Sequence, residues 1–109
     1  MPKTTKDEKN NMVLLTLDRI REVRFGHKAL KMLMSLTGKS LTNIADEEFS
    51  LEELEKVMFC GLISDAKEHG ETLKLEDMED LLDRAKNFNE IMEAMEKALN
   101  NAFQQTEKN

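Results

Sequence analysis

The chain has 109 residues, 35% charged and 39% hydrophobic, with a formal net charge of -6, which suffices for one modest core burying about two-thirds of the unfolded surface and is too apolar for a disordered polyelectrolyte. Asp and Glu are spread throughout with no Lys/Arg stripe, so a nucleic-acid-binding face would work against its own field. No run is apolar and long enough to predict a membrane-spanning helix, MPKTTKDEKNN lacks the basic-then-apolar order of a secretory signal, and the lone Cys60 excludes an internal disulfide and fits a reducing compartment such as the cytoplasm.

Residues Met1 to Asn11 are polar without apolar period and are expected to be a tail dispensable for folding. Val13, Leu15 and Leu17 then alternate with Leu14 and Thr16, and Val23 and Phe25 alternate among Arg21, Glu22 and Arg24, around a polar Asp18-Arg19 pair. That period of two predicts a β-hairpin, which must lay its apolar face on helices to be stable. After it, Ala29, Leu30, Leu33, Met34 and Thr37 recur at helical spacing, so a first helix is expected over Gly26 to Thr37 with Gly38 as its left-handed stop. Ser40 to Ala45 is expected to add a short helical turn through Leu41 and Ile44, and Asp46 to Phe49 to form a connection.

Ser50 and Glu53 make an S-x-x-E capping box, the clearest helix start in the chain. Leu51, Leu54, Val57, Met58, Leu62 and Ile63 form the apolar stripe of the second long helix, which is expected to run to a stop at Gly70, a residue free to turn left-handed. Gly61 inside this stripe costs about 0.8 to 1 kcal/mol relative to alanine and predicts a close helix contact. A third helix is expected over Leu75 to Lys86, presenting Leu75, Met78, Leu81, Leu82 and Ala85, and a fourth over Asn87 to Gln105, presenting Phe88, Ile91, Met92, Met95, Leu99, Ala102 and Phe103. The expected fold is mainly α: a small N-terminal β-hairpin packed on a bundle of about four to five helices. It forms a single domain over residues 12–105, with tails at 1–11 and 106–109.

Little in the sequence carries chemistry. Thr37 to Ser40, TGKS, resembles the end of a phosphate-binding loop, but the first glycine of that motif would fall at Leu33 and the preceding element reads as a helix where a strand is needed. Asp46-Glu47-Glu48 lacks the ligand spacing and central glycine of a calcium loop and reads as an acidic linker. His27 and His69 have no Cys or His at metal-ligand spacing and read as surface residues. Cys60, beside Phe59, reads as a buried inert thiol. Glu52, Glu55, Asp80 and Asp83 read as a solvated face. The eight methionines divide between core filling, with Met58, Met78, Met92 and Met95 on apolar stripes, and an adaptable surface, for which Met32 stands out because it lies off the stripe of the first helix. No catalytic residue, cofactor or metal ligand is expected.

Taken in order, the hairpin, the block Phe25-Gly26-His27-Lys28-Ala29-Leu30 with its TGKS-L turn, the helix from Leu51-Glu52-Glu53-Leu54 to Gly61-Leu62, the segment Leu73 to Asp83 and the ending Ala98-Leu99-Asn100-Asn101-Ala102-Phe103 resemble the phage tail assembly chaperones of long-tailed phages. The likeness spans Met12 to Phe103 and is carried by an ordered series of apolar and small positions; Lys74 departs from it, where a threonine or serine cap would precede Leu75. The resemblance implies a non-enzymatic protein that binds the tape measure protein, keeps it soluble and helps recruit tail tube subunits. It also implies a frameshifted longer form of which this chain would be the short form, homo-oligomerisation, residence in the cytoplasm of the bacterial host, and absence from the mature virion. It assigns no partner-binding residue. The competing expectation is a small helical adaptor or regulator that binds a host or phage protein through a helix groove. A DNA-binding regulator would need a basic recognition helix, and the locally basic stretch Arg19 to Lys31 is interrupted by a strand.

Overall fold

The computed structural model describes residues 12–39 and 50–107, with side chains to residue 103. Strands β1 (Val13–Thr16) and β2 (Ile20–Val23) pair antiparallel, with Val13 opposite Val23 and Thr16 opposite Ile20. Successive side chains of a strand point to opposite faces, so Val13 and Leu15 are buried while Leu14 and Thr16 are exposed. The same rule carries Arg21 and Val23 inward together.

Helix α1 (His27–Thr37) starts from Gly26 without a side-chain cap and stops at Gly38, whose φ of 73° is the left-handed conformation that glycine adopts without a Cβ clash. The expected turn over Ser40 to Ala45 and connection over Asp46 to Phe49 lie outside the described residues. Helix α2 (Leu51–Glu68) opens on the expected capping box: Ser50 Oγ accepts from the Glu53 N–H at 3.1 Å, and Glu53 Oε1 accepts from the Ser50 N–H at 3.4 Å. It ends in a complete Schellman motif. Gly70, at φ 72°, donates its N–H to the Lys67 carbonyl at 3.1 Å, and Glu71 donates to the Ala66 carbonyl at 2.8 Å.

The third expected helix is shorter than its apolar pattern. A 3-10 turn over Leu75–Asp77 leads into α3 (Met78–Leu82), and regular helix stops there. The Asp83 N–H reaches the Glu79 carbonyl only at 3.3 Å, and the next two N–H groups turn to carbonyls three residues back, Arg84 to Leu81 and Ala85 to Leu82. Five residues past Leu82, Asn87 Oδ1 accepts from the Glu90 N–H at 3.0 Å and caps the next helix. An N-cap residue leaves helical backbone angles, so one continuous helix through residue 87 is excluded. At its start, Asp77 accepts from the Lys74 N–H at 3.1 Å; this is the reciprocal half of a capping box, and an ammonium has no lone pair to supply the other half.

Helix α4 (Phe88–Glu107) is the last of the described elements. The architecture is therefore a two-stranded hairpin on four α-helices among the described residues, with β2 packed on α2, β1 on α4 and α1 on α2. Leu33, Val57, Met58, Leu62 and Met78 are its fully buried large side chains, joined by Val23 and Cys60. Met58, Met78 and Met95 fill this core as expected, whereas Met32 and Met92 are half-buried. Leu51 and Phe88, each the first residue of its helix, lie beyond the reach of the core and are exposed.

Gly61 has a close neighbour, but the neighbour is the hairpin and not a helix. A Cβ at this position would lie 2.7 Å from Phe25 Cζ and 3.0 Å from Val23 Cγ1. The close approach lets the Arg24 N–H donate to the Gly61 carbonyl at 2.8 Å, a backbone bond from the end of β2 to the middle of α2.

Candidate functional site

The described part of TGKS and the lysine that follows Gly38 serve the fold. In TGKS, the Gly38 N–H bonds back to the Met34 carbonyl at 2.8 Å and Thr37 Oγ1 donates to the Leu33 carbonyl at 2.8 Å, so the segment up to Lys39 closes a helix; Ser40 lies outside the described residues, as do Asp46, Glu47 and Glu48. Lys39 Nζ sits 2.8 Å from Glu53 Oε2, and this ammonium draws the Glu53 carboxyl below its ordinary value, assisted by the Ser50 N–H. The lysine therefore braces the capping box of α2. His27 and His69 are exposed, with His69 Nδ1 at 2.8 Å from the Asp65 carbonyl. Burial pushes the Cys60 thiol up to about 11, which removes the thiolate at neutral pH. Glu52, Asp80 and Asp83 are exposed and Glu55 is half-buried. Among the described residues no group of three or more His, Cys, Asp or Glu side chains is placed to hold a metal ion, and no helix is long and apolar enough to cross a membrane.

A cluster of five charged side chains forms where the hairpin turn meets the end of α2. Arg21, only 4% exposed, sends Nε to Asp18 Oδ1 at 2.8 Å and Nη1 to Glu71 Oε1 at 2.9 Å. Arg19 reaches Asp65 Oδ2 with Nη2 at 2.9 Å and Glu71 Oε2 with Nε at 3.0 Å. Asp65 is itself buried. The Schellman reversal at Gly70 is what turns the chain so that Glu71 meets both arginines. The Arg21 guanidinium holds the Asp18 carboxyl down at about 2, and Arg19 foremost, with Arg21, lowers that of Glu71. Asp18 and Glu71 are thereby held ionised in their ion pairs at neutral pH, and the cluster clamps the hairpin to α2.

The sequence contained a signal for this cluster in two misplaced charges. Asp65 continues the stripe of Leu54, Val57, Met58, Gly61 and Leu62 at helical spacing, and Arg21 occupies an inward strand position two residues before Val23. Each breaks its own apolar pattern, and opposite charges that do so are candidates for pairing.

Among the described residues, concave surfaces include a hollow of about 420 Å³ beside the charged cluster, bordered by Asp18, Arg21, Asp77 and Arg84. A trough of about 510 Å³ runs between β1 and α4, lined by Met12 to Thr16 and by Glu90, Glu93, Ala94, Lys97 and Asn101. The larger groove, about 680 Å³, lies between α1 and α2 and is closed at one end by the segment after Gly70. Ala29 and Met32 of α1, Ile63 of α2 and Leu73 supply its apolar surface, while Arg24, Lys28 and Lys67 stand exposed at its margin. Met32, the methionine off the main stripe, lies in this groove. No family model matches the chain, and neither a curated protein nor a solved structure matches it.

Proposed function

We propose that the chain is a tail assembly chaperone that binds amphipathic helical segments of a tape measure protein, keeps that protein soluble and helps recruit tail tube subunits to it. The observation that carries this reading is the α1–α2 groove, whose apolar surface includes the flexible thioether of Met32. A groove between two helices is the usual seat for the apolar face of a third, and an unbranched methionine adapts to the varied side chains a long helix offers in succession. Each contact is modest in affinity, and many copies along one long helix together provide the coverage that prevents aggregation. The net charge of -6 keeps such an assembly dispersed.

The test is co-expression with the tape measure protein of the same phage. A soluble complex holding several copies of this chain per tape measure protein is expected. A tape measure protein that precipitates equally with and without the chain, and retains none of it on purification, rules the reading out.

A further inference from the structure

We infer that the α1–α2 groove selects an amphipathic helix of another protein whose apolar stripe is flanked by Asp or Glu. The floor admits the apolar stripe, through Ala29, Met32, Ile63 and Leu73. The margin sets the charge. Arg24, Lys28 and Lys67 are exposed there, and none has a carboxylate within ion-pair distance among the described residues. Glu71, the carboxylate that lines the groove, is already engaged by Arg19 and Arg21 at 3.0 and 2.9 Å. The groove is thus locally basic on a chain whose net charge is -6.

Charges at the margin of a binding surface act on partner choice, association rate and salt dependence. The inference deepens the chaperone reading and rests on it for the identity of the partner, while the partner's chemistry follows from the groove alone. Net charge and local charge predict opposite preferences, which makes the inference sharp: the whole-molecule field favours a basic helix, and the groove margin favours an acidic one.

The experiment uses the full chain and two labelled helical peptides of about 20 residues, long enough to span some 30 Å. They share one Leu/Ala stripe, flanked by Glu in one and by Lys in the other, and binding is read by fluorescence anisotropy. The Glu-flanked peptide is expected to bind about tenfold more tightly at low salt, with the preference fading towards roughly 1 M salt, where screening shortens to about 3 Å. The exposed double variant Lys28→Glu, Lys67→Glu is expected to reverse the preference. Met32→Glu, at a half-buried position, is expected to abolish binding of both peptides while its circular dichroism matches the parent. Equal binding of the two peptides, binding of neither, or a preference that survives the charge reversal overturns the inference. Co-purification with the tape measure protein separates the two claims. If all variants retain it, the chaperone reading stands without this groove; if the parent chain fails to retain it while the peptide preference holds, the chaperone reading alone falls.

Discussion

Gly61 is the one glycine at which an added Cβ would meet a neighbour among the described residues within 4 Å. On helix propensity alone Gly61→Ala should stabilise by about 1 kcal/mol. The added methyl would instead meet Phe25 and Val23 at 2.7 and 3.0 Å, and these side chains are 4% and 2% exposed, with little room to yield. A net loss of about 1 to 3 kcal/mol is expected, as for other over-packed cores, read as a lower urea midpoint. The partial rescue expected from adding Phe25→Leu, which shortens the obstructing ring, identifies the contact; a stabilised Gly61→Ala chain would mean that the hairpin does not rest on α2 at this point. The sequence marked Gly61 as a close approach because a glycine in an apolar stripe needs a reason, but helical periodicity names a face and not what covers it. Asp65 was legible in the same way and was harder to read. A charge on an apolar stripe demands a partner, and its partner Arg19 lies far away in the sequence, in the hairpin turn.

At the scale of elements, local chemistry and tertiary packing each left different traces. The hairpin, α1, α2 and α4 were readable because period and punctuation agree in each: alternation around Asp18-Arg19, Gly38 after α1, Ser50 and Glu53 before α2. The third helix is shorter than its spacing predicts because Leu75, Met78, Leu81, Leu82 and Ala85 keep helical spacing while the backbone passes through a 3-10 turn, a short helix and a looser turn. Side-chain period cannot distinguish these forms over so few residues, and the stop was written in Asn87 as a cap. The charged rim of the groove was legible only in part, since Arg24 and Lys28 fall within the locally basic stretch Arg19 to Lys31, whereas Lys67 belongs to α2 and only the fold brings it beside them. The capping box gives an element-scale prediction. Ser50→Ala removes the acceptor of the Glu53 N–H and is expected to cost about 1 kcal/mol. Glu53 keeps Lys39 as a partner, so the helical circular dichroism signal should remain while the urea midpoint falls. An unchanged midpoint would show that packing alone determines the start of α2.

For the molecule as a whole, the hairpin is the part that joins the helices, since β1 rests on α4 and β2 on α2. A chain beginning at Ile20 loses Val13, Leu15 and Leu17 from the core and is expected to unfold without a cooperative transition. The charged clamp makes the same union sensitive to acid, and the sign follows from where each proton binds. In the native state Asp18 titrates at about 2, held down first by its hydrogen bonds from Arg21, and Glu71 is lowered by Arg19 and Arg21. Unfolding separates these partners and returns the carboxyls to ordinary values of about 3.9 and 4.3. Below those values the unfolded chain takes up protons before the native one, so the clamp's contribution is complete above about pH 5 and is lost as pH falls towards about 2. Asp18→Asn removes part of that contribution at every pH at which Asp18 is ionised. The variant is therefore expected to have a lower urea midpoint than the parent at pH 7, with the gap closing progressively between about pH 5 and pH 2. A gap that stays constant across this window would mean that Asp18 acts by shape or hydrogen bonding alone. A gap that closes ties acid stability to the clamp between the hairpin and α2, and so to the joint that carries the wall of the groove.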